Sequence, residues 1–505
     1  MERKWWTLVL ISTATFMLLL DITVVNVALP DIQRELNASL SSLQWVVDAY
    51  ALTLAAFLLT AGSLGDRLGR RRVFTLGFVL FTVASFLCGI AGDPTLLNLA
   101  RGLQGVGGAA MFATSLALIG QEFHGKDRAT AFGVWGATVG GAVAIGPLVG
   151  GLITEHLGWE WIFFVNIPIG VAAIVLTERK IANVVSPDPE PVDLPGLVTF
   201  SGSLFLLIFG LIRGNPEGWG SPLIVACLAG AVVLMAAFVA IEARSAHPML
   251  DLTLFRKPAF NGVSAVAFGL SAGMFAMFLY LTIYMQGVLD FSPLEAGLRF
   301  LPLTLLSFIA SPIAGALSHK VPIRILLGLG LSLVGVGLLL MHGVDADSEW
   351  TALLAGFLIA GVGIGVTNPG IGQAAIAVVP VEKSGMGSGI NTTFRQVGIA
   401  TGIAALGAVF QSRVDSKLAE LLPNAPDGLG ELVASGGSRA AGAVAPGPGH
   451  ERVVEAANTA FVSGFNEIIL IAAVLSFVGA ALGFFLVRSR DFVQPTDGPA
   501  EPGVG

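Results

Sequence analysis

Gly62-Ser63-Leu64-Gly65-Asp66-Arg67-Leu68-Gly69-Arg70-Arg71-Arg72 separates two apolar runs, 45–64 and 73–92. Each run is long enough to cross about 30 Å of hydrocarbon as a helix. The glycines allow a tight turn and close helix approach. Asp66 can pair with the basic residues around it or cap the N-terminus of a neighbouring helix. The arginines anchor the loop on the cytoplasmic side. A topogenic basic loop needs the arginines alone; it does not need Gly62, Asp66 and Gly69.

Working outward, runs of the same kind recur at 7–29, 45–64, 73–92, 95–118, 129–153, 161–177, 196–213, 222–242, 260–286, 295–317, 324–342, 351–372, 385–410 and 460–487. Only 12% of the 505 residues are charged, against about 25% in soluble domains. The chain therefore reads as an all-α polytopic membrane protein of fourteen transmembrane helices. With the N-terminus inside, Arg67, Arg70, Arg71, Arg72, Lys126, Arg128, Arg179, Lys180, Arg256 and Lys257 all fall on the cytoplasmic side, as the positive-inside bias requires. Both termini are then cytoplasmic. Cys88 and Cys227 lie inside apolar runs and read as small hydrophobes, with no metal site.

Ser186-Pro187-Asp188-Pro189-Glu190-Pro191 reads as a stiff linker after six spans. Gly315-Ala316-Leu317-Ser318-His319-Lys320 follows the tenth span as Gly62-Ser63-Leu64-Gly65-Asp66-Arg67 follows the second. The implied plan is a six-helix bundle (1–182), a linker with two inserted helices (183–258), and a second six-helix bundle (259–488). The second bundle carries a long outer loop, 411–456, with a helix expected around 416–422, and a disordered tail, 489–505, follows it. Parallel six-helix repeats form a known transporter plan, with the substrate site at the midplane between halves.

Asp21 interrupts the first span, in Leu18-Leu19-Leu20-Asp21-Ile22-Thr23-Val24-Val25-Asn26-Val27-Ala28-Leu29-Pro30. A charge at a membrane-helix centre costs roughly 3 kcal/mol. Asp21 is therefore protonated, or it faces a cavity, or it meets a partner from another helix; a purely structural hydrogen bond is the plain alternative. At 1.5 Å per residue Asp21 lies roughly 14 Å, and Arg101 roughly 9 Å, inside the outer end of its span. Asp21 is the nearest deep acid to Arg101, and Gln104 lies one turn below Arg101. These residues suggest a protonation-dependent pair, with Asp48 a second acid nearer the outer mouth or simply a helix-start acid. All six histidines fall in loops or at span ends, so a proton path must use carboxylates. In the second half Arg395 with Gln396 sits mid-span and Glu467 reads as a deep acid. Glu295 and Arg299 read as a local helical ion pair. Met274, Phe275, Met277, Phe278 and Tyr280 are candidates for a cavity wall, or are lipid-facing or core residues.

The run from Gly62 to Arg72 resembles the loop signature of the major facilitator superfamily, between its second and third helices. Further stretches resemble its fourteen-spanner drug:proton antiporters: Leu20 to Pro30, Trp45-Val46-Val47-Asp48-Ala49-Tyr50, Arg101 to Ala109, Gly141 to Gly151, and Trp159 to Pro168. The resemblance implies a major facilitator fold. It implies a conformational latch at Gly62, Asp66, Arg67, Gly69, Arg70 and Arg71, and an antiporter helix motif at Gly141, Gly146, Pro147, Gly150 and Gly151. It also implies export against proton influx. His319 stands where the second-half loop of such proteins usually has an Asp, which departs from a symmetric latch.

Gly120-Gln121-Glu122-Phe123-His124-Gly125-Lys126-Asp127 matches the glycine and lysine spacing of a phosphate loop. It lacks the following Ser or Thr and the preceding strand, so nucleotide binding is excluded. The expectation is a multidrug efflux antiporter of antibiotic-resistance type in the cytoplasmic membrane. It is monomeric, takes its energy from the proton gradient and needs no cofactor. Its partners are amphipathic, often cationic, small molecules, protons and the bilayer, with no nucleic acid. Alternatives are an exporter of one lipid or natural product in the same fold, or a non-transporting membrane receptor or scaffold. An enzyme ranks last, because no metal cluster or nucleophile–base pair is visible.

Overall fold

The computed structural model describes residues 2–36, 38, 40–182, 193–246, 248–380, 384–423, 428–434 and 450–492. The long helices are α1 Arg3–Leu36, α2 Leu40–Leu68, α3 Arg70–Gly89, α4 Pro94–Glu122, α5 Gly125–Leu157, α6 Trp161–Lys180, α7 Leu194–Glu217, α8 Pro222–Glu242, α9 Pro258–Val288, α10 Pro293–Leu317, α11 Ile323–Met341, α12 Leu354–Ala377, α13 Ser384–Leu421 and α14 His450–Leu486. Among the described residues thirteen helices are long and apolar enough to cross a membrane. The remaining predicted span, 129–153, lies within the 33-residue α5.

Helices α1–α6 pack on one another, as do α9–α14. The halves meet mainly along two contacts, α2 on α13 and α5 on α10. The second helix of each set thus meets the fifth of the other, the pattern of parallel six-helix repeats. Helices α7 and α8 pair with each other, and α7 lies over the α2–α13 contact. Thr60 on α2 hydrogen-bonds Ser201 on α7 at 2.8 Å, and Asn215 on α7 donates to the Ala404 carbonyl on α13 at 3.2 Å. Only 22% of the most apolar window of α8 is buried, so this helix presents most of its apolar surface outward.

At the end that carries Arg67–Arg72, the two halves touch backbone to backbone. A Cβ on Gly62 would collide with the Gly385 carbonyl oxygen, and one on Gly389 would lie 2.9 Å from Leu59 Cα. On the other side a Cβ on Gly133 would lie 2.8 Å from Pro312 Cα. This basic end is closed.

Three expectations change. The helix expected around 416–422 is the end of α13, which runs on to Leu421, and α14 begins at His450, so the outer loop is shorter than the predicted 411–456. Lys417–Glu420 and Gln411–Asp415 contacts one turn apart sustain α13 there. Glu467 is not deep. It is 44% exposed and pairs with Arg413 at 3.2 Å, and its neighbour Asn466 bonds the α11–α12 loop at Gly343 and Val344. The early start of α14 lifts Glu467 to loop level. Glu295 forms no side-chain pair with Arg299. It closes a capping box with Ser292, while Arg299 donates to the Glu295 backbone carbonyl and lies 3.5 Å from the centre of the Phe291 ring. The linker stretch 186–191 and the tail from 493 onward lie outside the described residues.

Candidate functional site

Asp93 caps α4 through the Thr95 and Leu96 amides, with Pro94 at the first helical position. That start places Arg101 two turns inside the bundle, with Gln104 one turn further on the same face. Arg101 donates through Nη1 to Asp21 Oδ2 on α1 at 2.5 Å and to Gln104 Oε1 at 2.6 Å, and through Nε to the Val46 carbonyl on α2 at 2.8 Å. Gln104 Nε2 donates to Asp21 Oδ1 at 3.0 Å and to Ser85 Oγ on α3 at 2.9 Å. Asn166 on α6 reaches the same Ser85 hydroxyl at 3.5 Å. The Tyr50 ring covers the guanidinium at 4.4 Å.

Both carboxylate oxygens of Asp21 therefore accept, and each side chain of the pair is 1% exposed. Asp21 does not open onto a cavity. It is sealed in a network to which five helices contribute. Burying such a pair is tolerable only when the remaining lone pairs and protons are also satisfied, and here Gln104, Val46 and Ser85 satisfy them.

Asp48 does not join this network. At 100° per residue it points about 180° away from the α2 face that carries Val46 and Tyr50. Trp45, Leu52 and Ala55 share its side, and they pack against Phe209 and Ile208 of α7. Asp48 is half-buried there, within the electrostatic reach of Arg213 on α7.

The loop predicted as a latch does two jobs. Asp66 Oδ1 accepts from Arg70 Nη2 at 3.0 Å within its own half. Across the halves, Asp66 accepts from the Gly385 amide at 3.0 Å and the Met386 amide at 2.9 Å, capping α13. Arg70 also reaches the Ala117 carbonyl on α4. Arg71 pairs with Glu178 at the end of α6 at 3.2 Å. Arg67 donates to the Pro248 carbonyl beyond α8. Gly69 holds φ 99° at the α2–α3 turn, where a side chain would be strained.

Along α5, a Cβ on Gly146 would collide with Thr23 of α1, and one on Gly150 would lie 3.1 Å from Val24 Cα. Gly141 faces Phe308 of α10, whereas Gly151 has nothing within 4 Å and plays no part in helix approach. Pro147 sits within α5, and its side chain lies outside the described set.

In the second half Arg395 is 9% exposed and donates to Asn368 Oδ1 of α12 at 3.1 Å, 5.6 Å from the centre of the Phe275 ring. Gln396 is half-buried beside it. A narrow cleft between the halves is lined by Val139, Gly140, Phe275, Phe278, Ser307 and Asn368, among others. Phe275 and Phe278 thus line the cleft, while Met274, Met277 and Tyr280 belong to the core. The sequence reading missed Ser85, Asn166 and Asn368. The polar pair Thr367-Asn368 in an otherwise apolar run was a usable signal for the last; Ser85 carried none.

A family model for the Major Facilitator Superfamily matches residues 11–403. The chain belongs to this superfamily. As a Major Facilitator Superfamily member it is a membrane transporter and not an enzyme. It is 34% identical over 507 residues to the tetracenomycin C resistance and export protein of Streptomyces glaucescens, covering 97% of this chain and 92% of that one. It is 33% identical over 485 residues to the multidrug efflux pump LfrA of Mycolicibacterium smegmatis, covering 95% of each. Among solved structures, the superfamily's proton:xylose symporter XylE superposes with a TM-score of 0.62 at 13% identity, covering 96% of each chain. At that identity the superposition speaks for the fold alone.

Proposed function

We propose that this transporter exports amphipathic compounds across the cytoplasmic membrane in exchange for protons. The basic end and both termini face the cytoplasm. Units 1–182 and 259–488 rock against each other, with 183–258 as an insert, giving alternating access.

The observation that carries this reading is the sealed Asp21–Arg101 pair. When the site opens outward, a proton on Asp21 removes the charge that compensates Arg101 and converts one acceptor oxygen to a donor. The network of Gln104 and Ser85 then has to rearrange, shifting α1 against α4. Loss of the proton toward the cytoplasm re-forms the pair. Protonation and pairing are alternatives, which is what coupling requires. Asp66 closes the cytoplasmic end by capping α13, so opening that end means giving up the cap.

The test is transport of an amphipathic dye by proteoliposomes with an imposed pH gradient. Efflux should stop when the gradient is collapsed; efflux that continues overturns exchange. Asp21→Asn should lower gradient-driven transport at least tenfold while the protein stays folded by size-exclusion chromatography. Full activity in that variant refutes the role of Asp21. A second reading, export of one natural product, draws on the relative named for tetracenomycin C. It predicts that chemically unrelated dyes fail to compete with one another.

A further inference from the structure

Behind the wall of the cleft between the halves, against Asn368 and Phe275, lies a buried cation that no described carboxylate pairs with. Arg395 is 9% exposed, and among the described residues no carboxylate pairs with it. It bonds the Asn368 side-chain oxygen and lies against the face of Phe275, and both of these residues line the cleft. A buried cation left uncompensated is costly, and a ligand can supply what the protein does not.

The neighbouring polar groups point the same way. Arg395 occupies Asn368 Oδ1, so the amide turns its donor, Nδ2, to the other side. Asn368 is 1% exposed, and Nδ2 has no partner. Ser307 Oγ, from α10, is likewise buried without a partner. Both residues line the cleft. Around them stand aromatic rings: Phe275 lies 5.9 Å from Phe278, and Phe278 lies 5.6 Å from Phe300.

The cleft is about 20 Å³ in this closed arrangement. We propose that, as the halves part, it widens into a site that selects aromatic compounds bearing an anionic oxygen, a carboxylate or phenolate, which Arg395, Asn368 and Ser307 receive between the phenylalanine rings. This rests on the transport reading above and narrows its substrate class. It runs against the cation preference expected from the sequence. Asp48 is half-buried at the outer end of α2 but faces α7, and Asp21 is consumed by Arg101.

The test uses two xanthene dyes of opposite charge, carboxyfluorescein and rhodamine 123. Binding to the purified full-length protein is followed by fluorescence anisotropy. The wild type should bind carboxyfluorescein more tightly. Arg395→Gln should lower the ratio of the two affinities at least tenfold. Asn368→Asp, which places an acid on the cleft, should lower it too and serves if the first variant misfolds. Tighter binding of rhodamine 123 by the wild type overturns the proposal, as does an unchanged ratio in either folded variant. The assay needs no gradient. Anion-selective binding without gradient-driven transport would therefore sink proton exchange and leave this inference standing.

Discussion

The two contacts that join the halves, α2 on α13 and α5 on α10, occupy equivalent places and are built differently. Both depend on glycine: Gly62 faces Gly385, and Gly315 faces Ala129 and Gly133. At α2–α13 an acid one turn beyond the glycine, Asp66, caps the facing helix and is held by Arg70. At α5–α10 the residue one turn beyond is His319, which is exposed and supplies no cap. The insert adds to the difference, because α7 ties Thr60 of one half and Ala404 of the other across the α2–α13 contact. One seam is thus electrostatically pinned and strapped. The other brings Gly133 and Gly315 against facing backbone and lacks the acid cap.

The largest expected effect comes from Asp66→Ala. It removes the α13 cap and leaves the buried Arg70 without its carboxylate, a loss of about 3 kcal/mol. Spin labels at Arg72 and Lys320 should report a wider basic end by pulsed electron resonance. An unchanged distance distribution would mean that close packing alone closes both seams.

Next are matched substitutions, Gly62→Val and Gly315→Val. Each drives a side chain into facing backbone, at a cost of about 1–3 kcal/mol for overpacking. Gly62→Val should be the more harmful by thermal unfolding, because it also displaces the Asp66 cap. Equal losses would erase the distinction between the seams.

The smallest is His319→Asp. If the α5–α10 seam lacks only a capping acid, the new carboxylate at the level of the α5 N-terminus should add about 0.3–1 kcal/mol, seen as a narrower distance distribution at the basic end. No change would show that the asymmetry lies in the insert.

The sequence was explicit about the chain's class because a membrane imposes length and polarity on each span separately. Apolar run length and basic-loop placement are local properties, and they specified the helices; the family was legible in the resemblance of its motifs. The motif from Gly62 to Arg72 was legible for the same reason, since a close helix approach demands glycine at fixed positions. The partners of Asp21 could be narrowed to Arg101 by depth alone, because rise per residue is constant along a helix.

What only the tertiary structure decided is which way each side chain faces and what stands opposite. Asp48 and Asp21 share a depth range, but rotation about α2 sends Asp48 to the insert. Glu467 is deep only if α14 starts where its apolar stretch does, and the helix starts ten residues earlier, at His450 instead of 460. The capping of α13 by Asp66 and the meeting of Arg395 with Asn368 and Phe275 join residues far apart in the chain. Hydrophobic periodicity sets which helices form; the relative rotation and axial stagger of packed helices set which polar atoms meet, and those are properties of the assembled bundle.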